Sequence, residues 1–557
     1  MDSYQDEDYV NDLTDRVFLI KQELEAGKIK IASHLIEGFI SSFEKVRLRS
    51  DGKVDPSTVD GRIRSMGAVV NHFIERDTIK NKYSIYDLQK AYFDILFSNF
   101  GHIYQDMINS NVEPYVIASF LSRQEEYVKS LYDVFEDFFN DVVEFWETAS
   151  DIGVFHLQDG KQLKANFAGD LFPSYSENAV SIAGLYVDTI TLPCPILRVG
   201  RLYRAGNKNE FIRLLLKHVL TCMAYREIAL EDIEPPIALI LPDSRDYAEK
   251  DANYLMTASE PYVLAHAQYL YNRKFDSKED FQEFSNSLTD VDKVLSHLKR
   301  PDRLIFDTSW GRDARSQLST LLSDPDRLTR NLFGDHPGME VFFSCVSRMP
   351  QALAAKKNAQ ELGSTPYINA DTSWLYYTWL IEYESEGFNI DDVELKNLHM
   401  VHALSAGMQD GFSWLGNVPI KKVIELRRKD LMPEVRDILT SGIDKMINSV
   451  PSNYNQTSQQ VIDNIDRAFI EHQRMLDKAR REKLKIYGLD VTPCVVNGII
   501  AITGAVTGNV ALTTLSAGLA TFGLPTIKDI KTKFKDRSEK LTAYQNSVTG
   551  ILFSHKK

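Results

Sequence analysis

Residues 180–193 read VSIAGLYVDTITLP, a run rich in β-branched and apolar residues that ends at a proline. A second short run, IALIL at residues 237–241, precedes a proline and Asp243, and a third, RLIF at residues 303–306, ends at Asp307. Short apolar runs that are bounded by turn residues and separated by helical stretches are typical of buried strands. The pattern predicts a small buried β-sheet in the central third of the chain.

The rest of the chain predicts helices. In residues 125–148, apolar side chains recur at alternating intervals of three and four. This a/d pattern indicates a helix packed lengthwise against another helix, in an intramolecular bundle or in a dimeric coiled coil. The fold class expected from these patterns is mostly α with a small buried β-sheet, α+β overall. Further helices are predicted at residues 208–226, 247–271, 277–299, 313–332, 339–361 and 452–486.

The 557 residues are enough for three or four domains. We expect a helical N-terminal domain (1–150) and a mixed α/β central domain (151–390). A helical domain (391–490) follows and ends in the long amphipathic helix. The last region (491–557) is expected to hold an apolar helical hairpin and a basic tail.

The net charge of −14 and a charged content of 25% describe an acidic globular protein. This balance argues against nucleic acid binding over the acidic body, because such binding needs a basic surface. The four cysteines are far apart in the sequence and form no C-x-x-C pair. Together with the acidic, polar start of the chain, they predict a cytoplasmic protein with reduced thiols.

The most distinctive segment is residues 491–527, in which 37 consecutive positions hold no Asp, Glu, Lys, Arg or His. Its flanks are basic: residues 474–485 carry a net charge of +4 and residues 528–557 a net charge of +5, which leaves −23 for everything else. Basic residues beside an apolar block are attracted to anionic lipid. Basic flanks at both ends favour both ends on the cytoplasmic side, which implies a hairpin.

A hairpin that turns at Gly508 would have arms of about 14 residues, or roughly 21 Å, which is short of the ~30 Å hydrocarbon core. The segment is therefore not expected to be a permanent anchor. Either it is a close-packed hairpin buried in the protein or in an oligomer interface, or it is sheltered at rest and enters a bilayer when released. The glycines expected at the membrane or oligomer contact are Gly498, Gly504, Gly508, Gly518 and Gly523.

The leading hypothesis is a non-enzymatic cytoplasmic sensor and effector. Its C-terminal apolar hairpin would engage a membrane surface, at the inner membrane on activation, or a homo-oligomer or protein partner. Such a design suits a bacterial toxin or an antiphage abortive-infection protein. The alternatives are a metal-dependent hydrolase and a soluble oligomeric scaffold.

The hydrolase alternative rests on acidic residues expected at strand ends, Asp243, Asp246 and Asp307. Ligands collect at the carboxyl ends of strands in α/β sheets, and carboxylates there could hold Mg²⁺ for a nuclease or phosphohydrolase reaction. The opposing interpretation is that an Asp after a strand is a turn or helix N-cap residue. A magnesium cofactor is expected only under this alternative.

Other motifs are weak. Arg213 and His218 have an R-x4-H spacing, and His399 and His402 lie on one helix face as two zinc ligands would. Neither motif is completed by further residues, so both are interpreted as structural. The sequence holds no phosphate-binding loop, dinucleotide fingerprint or nucleophile elbow. The tetrapeptide Asp-Thr-Ser-Trp occurs twice, at 307–310 and 371–374, without indicating a repeat architecture.

Overall fold

The structure is a computed structural model in which most of the chain folds into two compact units. One unit is formed by residues 1–91 with 149–160, and the other by residues 92–148 with 161–557. The four expected domains remain a prediction. The structure describes residues 7–27, 29, 31, 33–158, 160–173, 179–204, 207–324, 327, 329–384, 392–406, 419–444, 454–481, 485–486, 489–490, 495–496, 499–500, 539–540 and 542–554.

The first unit is helical. Its core is formed by apolar side chains that recur at helical spacing on its first and third helices, among them Leu13, Val17, Ile20 and Ile63. Asp60 caps the third helix by accepting hydrogen bonds from two backbone N–H groups of its first turn. The helices are α1 (Glu7–Glu25), α2 (Ser33–Glu44) and α3 (Gly61–Lys82), with the beginning of α4 (Ile85–Ser110) and the end of α6 (Glu125–Gln158).

In the second unit, the predicted helix at residues 125–148 is present within α6. Three members of its apolar stripe, Val128, Phe135 and Val142, are fully buried. Phe135 packs edge-on against Phe211 at 4.8 Å between ring centroids. The stripe therefore packs inside the chain, as an intramolecular bundle requires.

A four-stranded, all-parallel sheet lies in the second unit, with the order β3-β2-β1-β4. Every residue of the four strands is buried, because helices cover a parallel sheet on both faces. The predicted mostly-α fold with a small central sheet is confirmed. The strands are β1 (Lys164–Ala168), β2 (Thr189–Leu192), β3 (Ala238–Ile240) and β4 (Thr365–Ile368).

Two of the predicted runs contain strands, and one does not. β2 and β3 lie within residues 180–193 and 237–241, although the first run begins with a short helix, α7 (Ala179–Ala183). The strand predicted at residues 303–306 is wrong: its first residue belongs to a 3₁₀ turn, Pro301–Arg303, and Leu304 and Ile305 are buried in a core of helices instead.

The second unit contains further helices, several of which contact this sheet. The predicted helix at 277–299 is divided in two at residues 288–290, where Asp290 caps the second helix. The helices are α5 (Pro114–Leu121), α8 (Pro195–Gly200), α9 (Lys208–Ala224), α10 (Arg226–Ala229), α11 (Glu249–Tyr271), α12 (Lys278–Ser287), α13 (Val291–His297), α14 (Ala314–Ser323), α15 (Arg330–Phe333), α16 (Pro337–Leu362), α17 (Asp371–Glu384), α18 (Asp392–Ala406), α19 (Ile420–Arg428), α20 (Met432–Thr440), α21 (Tyr454–Arg481) and α22 (Val548–Phe553).

The long amphipathic helix α21 ends earlier than predicted, at Arg481 rather than near Ile486. Beyond it the structure describes two short antiparallel strand pairs, Lys485–Ile486 with Leu489–Asp490 and Val495–Val496 with Ile499–Ile500. The second pair lies within the uncharged segment, where helix was expected. The rest of that segment, including Gly498, Gly504, Gly508, Gly518 and Gly523, lies outside the described residues, so the helical hairpin remains a prediction.

Asp188, just before β2, accepts hydrogen bonds from two C-terminal helices, α19 and α20. Its carboxylate accepts hydrogen bonds from Arg436 Nη2 (2.6 Å) and the Leu163 backbone N–H (2.9 Å). Arg427 donates to the Asp188 carbonyl oxygen and to that of Pro235, both at 2.7 Å. The start of β2 is thus tied to α19, α20 and the residue before β1.

Asp188→Ala is expected to lower the free energy of unfolding by about 2–3 kcal/mol, because it removes the carboxylate that binds Arg436 and lies 3.5 Å from Arg427 Nη1. Urea unfolding followed by circular dichroism measures this loss. The matched control is Asp437→Ala on the exposed side of α20, where the change should stay within about 0.5 kcal/mol. Equal losses in the two variants would contradict this role of Asp188.

Candidate functional site

Ligands of α/β proteins bind at the carboxyl edge of the sheet. In this protein that edge is formed by the residues that directly follow β1 to β4. β2 lies on one side of β1 and β4 on the other, so the topological switch point is between β1 and β4. Ligands bind in the crevice outside such a point.

Asp243 and Asp246 lie together on the turn after β3. Asp243 caps the 3₁₀ turn Ser244–Asp246, and its two oxygens accept hydrogen bonds from Arg245 Nε and Nη2, both at 2.6 Å. Asp246 pairs with Arg201 at 2.7 Å and with Arg198 at 3.5 Å. Burial raises the pKa of the Asp243 carboxyl, and the Arg245 guanidinium opposes that effect. The oxygens that a cation would need are occupied by arginine N–H groups.

Asp307 does not follow a strand, because the predicted strand before it is absent. Its Oδ1 accepts hydrogen bonds from the backbone N–H and the hydroxyl of Ser309, at 2.8 and 2.7 Å. The Gln317 side chain binds the Asp307 backbone N–H and carbonyl on the other side. Asp307 is thus a turn residue, as the opposing interpretation of the sequence expected.

The two copies of Asp-Thr-Ser-Trp, which are 64 residues apart in the sequence, meet at the carboxyl end of β4. The backbone N–H of Thr308 donates to Thr372 Oγ1 at 3.1 Å, so equivalent residues of the two copies are in contact. The next residue, Ser373, donates to the carbonyl of Gly169 at 2.9 Å. Gly169 has a φ of +87°, and a Cβ there would lie 2.9 Å from Ile368. These contacts place backbone and hydroxyl groups of the protein next to the switch point.

Within the described ranges, no three His, Cys, Asp or Glu side chains are gathered in a way that could hold a metal ion. The hydrolase alternative, with Mg²⁺ at Asp243, Asp246 and Asp307, thus has no ligand set in the described part of the chain.

The histidines of the two weak motifs are buried or half-buried and contact neighbouring side chains of the core. His399 Nδ1 lies 2.9 Å from Thr457 Oγ1, and His402 stacks on Trp374 with ring centroids 3.7 Å apart. Burial lowers the pKa of His402 to about 3, so its ring is neutral at pH 7. Arg213 pairs with Glu210 on its own helix, and burial lowers the pKa of His218 to about 4.

The helices that precede and follow the uncharged segment pack on each other. The chain leaves α21 at Arg481 and returns at α22, whose residues Val548, Ile551 and Leu552 are at most 3% exposed. α22 packs on α19 and α21. The sequence did not predict that α22 packs on α19 and α21. Its short run VTGILF (548–553) is far from both helices in the sequence, and nothing in it indicates which helices it contacts.

Two contacts fix α22 on α21. The rings of Phe553 and Phe469 lie edge to face at 5.0 Å between centroids, and Thr549 Oγ1 lies 3.0 Å from His472 Nδ1. Phe469 and His472 are 9 to 12 residues before the end of α21, which corresponds to about 14–18 Å along the helix. Both flanks of the segment are thus attached to the same part of the fold.

In the described part of the chain, no helix is both long enough and apolar enough to cross a bilayer. No protein-family model, curated protein or solved structure matches this chain.

Proposed function

We propose that this protein is a non-enzymatic sensor and effector of the cytoplasm, whose uncharged segment 491–527 engages a membrane on activation. The observation that carries the proposal is the packing of α22, which follows the segment, on α21, which precedes it. A segment between two helices that pack on each other can enter a bilayer only as a hairpin, because the chain must return to the side that it left. This agrees with its basic flanks, which favour the same side of a membrane.

The length of the segment supports insertion in an assembled form rather than as a lone anchor. Arms of 14 residues that become helical in the bilayer are roughly 21 Å long and do not span the ~30 Å hydrocarbon core. Several hairpins packed through their small residues would shield their polar backbone from lipid. Membrane damage of this kind suits a bacterial toxin or an antiphage abortive-infection protein.

The test compares the full chain with a variant in which residues 491–527 are replaced by a Gly-Ser segment of equal length. This replacement keeps α22 and the length of its connection to α21. Dye release and flotation with vesicles of phosphatidylcholine and phosphatidylglycerol, at pH 7 and pH 5, measure engagement. We expect the full chain to bind and permeabilise the vesicles and the variant to lose at least about tenfold in dye release, with an unchanged melting temperature, because the apolar area that enters the lipid is gone.

Equal dye release by the two proteins would contradict the proposal, as would a full chain that neither binds nor permeabilises vesicles at either pH. The mass of both proteins in solution identifies the remaining alternative. If the full chain forms an oligomer that the Gly-Ser variant does not form, and vesicles stay intact, the segment serves an oligomeric scaffold instead.

A further inference from the structure

The helix α5 exposes two large apolar side chains on one side. Its inner side packs on α9, with Pro114 and Ala118 buried. Val116 and Phe120 each lie about 160° from Ala118 at 100° per residue, on either side of the direction opposite to it. They are 40% and 63% exposed. We call Val116 and Phe120 the α5 outer face.

Other exposed apolar side chains lie close to the α5 outer face in the sequence. Tyr115 is 57% exposed, and Ile108, in the last turn of α4, is 53% exposed. Since a large aromatic side chain has an area of about 150–250 Å², the outer face presents roughly 200 Å² and the four side chains together roughly 400 Å². Single apolar residues at a surface need no explanation, but an apolar area in this range is typical of interaction sites.

The charged residues around α5 are few and stand at its two ends. Glu113 directly precedes the helix, Arg123 follows it by two residues, and residues 107–124 hold no other Asp, Glu, Lys or Arg. Both side chains are exposed. Among the residues that the structure describes, including Glu125 and Glu126 at the start of α6, neither has an ion-pair partner. The outer face therefore has an unpaired negative charge at one end and an unpaired positive charge at the other.

This arrangement is complementary to itself. When two copies of α5 pack antiparallel about a two-fold axis at Ala118, Glu113 of one copy is level with Arg123 of the other, because each lies five residues, or about 7.5 Å, from Ala118. Val116 of one copy is level with Phe120 of the other for the same reason. A two-fold dimer thus pairs the charges at both ends and covers the apolar side chains between them.

We propose that α5 forms a two-fold homodimer contact, with a second copy of this chain as its partner. Two copies of the patch cover roughly 400–800 Å² of apolar surface, which is below the ~1,200 Å² at which stable interfaces begin. The dimer is therefore weak, with a dissociation constant on the order of 10⁻⁵ M. The inference does not depend on the proposed function, because no residue of segment 491–527 takes part in the contact.

Sedimentation velocity of the full chain, from about 1 to 200 µM, measures the dimer. Phe120→Ser is expected to raise the dissociation constant about tenfold or more, because an aromatic side chain at the centre of an interface carries much of its binding energy. The matched control is Tyr254→Ser on α11, which removes an aromatic side chain that is also 63% exposed and should change the constant less than twofold. Circular dichroism verifies that both variants are folded.

A charge exchange tests whether the partner is a second copy. Glu113→Arg and Arg123→Glu should each raise the dissociation constant by about tenfold, because each change places like charges opposite one another at both ends of the symmetric contact. Mixed in equal amounts, the two variants should associate with each other about as tightly as the wild type does, since opposite charges then face each other at both ends. A partner other than a second copy does not give this rescue.

Three results would overturn the inference. They are a wild type that stays monomeric at about 200 µM, a dimer that Phe120→Ser does not weaken, and charge variants that associate no better mixed than alone. The Gly-Ser variant of segment 491–527 separates this contact from the proposed function. If it dimerises like the wild type while dye release never depends on the segment, only the proposed function is wrong. If it is monomeric, the contact belongs to the segment and the inference about α5 is wrong.

Discussion

Lowering the pH from 7 to 5 is expected to reduce the free energy of unfolding of the second unit by about 5–6 kcal/mol, through three buried histidines. Burial lowers the pKa of His218 to about 4 and those of His266 and His402 to about 3. Nearby positive groups add to the effect: Lys217 and Arg213 at His218, and Arg303 at His266.

Stability falls with pH because the unfolded chain binds more protons at its histidines than the folded chain does. A histidine in the unfolded chain has a pKa of about 6.5, so at pH 5 the unfolded state is protonated while the folded state is not. The contribution of the three histidines to the free energy of unfolding is complete above about pH 6.5. It is lost as the pH falls towards their folded-state pKa values of about 3–4. At pH 5 each histidine accounts for about 2 kcal/mol, which is large beside a total stability of about 5–15 kcal/mol.

Urea unfolding at pH 7, 6 and 5 measures the dependence, and His402→Phe isolates one histidine. Phe can keep the stacking on Trp374, and His402 Nδ1 has no hydrogen-bond partner among the described residues. We expect the variant to lose about 2 kcal/mol less than the wild type between pH 7 and 5.

The exposed His102→Phe serves as the control and should leave the pH dependence unchanged. Burial raises the pKa of Asp243 and of Glu361, which acts in the opposite direction, but this contribution is common to all three proteins and cancels in the comparison. If His402→Phe and the wild type show the same pH dependence, the assignment to buried histidines is wrong.

The sequence predicted strands where apolar residues are continuous and missed them where a polar residue or a proline interrupts the run. β1 contains Lys164 and Asn166, both buried, and β4 contains Pro366. A proline is tolerated in β4 because this strand lies at the edge of the sheet. Residues 303–306 misled the prediction because Leu304 and Ile305 are buried by helices, and burial alone does not distinguish the two environments.

The candidate site was harder to predict, since its partners are distant in the sequence. Asp243 and Asp246 were found as acidic residues near a strand end, but Arg198 and Arg201, which lie about 45 residues earlier, occupy Asp246. The contact between Thr308 and Thr372 crosses 64 residues. Composition alone identified the uncharged segment, yet only the packing of α22 showed that its two flanks are held together.

Arg327→Met is expected to lower the free energy of unfolding by about 3–5 kcal/mol, because the guanidinium is buried and every side of it is bound. Its Nε donates to Glu340 Oε1 at 3.0 Å, and Nη1 donates to the carbonyl oxygens of Leu322 and Asp324, each at 3.0 Å. Nη2 donates to the carbonyl of Gly334 at 2.7 Å and also contacts Asp335. The side chain of Arg327 is 3% exposed and that of Glu340 is 2% exposed.

Methionine fills a similar volume but leaves the Glu340 carboxylate buried, with the Thr329 hydroxyl, at 2.7 Å, as its remaining side-chain donor among the described residues. An uncompensated buried charge is the main cost, so Arg327→Met with Glu340→Met should recover part of the loss. The control is Arg315→Met: Arg315 and its partner Asp292 are 60% and 80% exposed, and this change should cost under about 1 kcal/mol. Thermal and urea unfolding measure all three variants.

The comparison tests a specific feature of this fold. Arg327 joins the end of α14 to the start of α16 through carbonyl groups that no helix satisfies, so it takes over hydrogen bonds that regular structure would otherwise make. If Arg327→Met lowers the free energy of unfolding no more than Arg315→Met does, the carbonyl groups must bind water or other donors instead. The connection between α14 and α16 then does not depend on Arg327. A large loss that the double variant only partly restores would show that the backbone bonds contribute together with the ion pair.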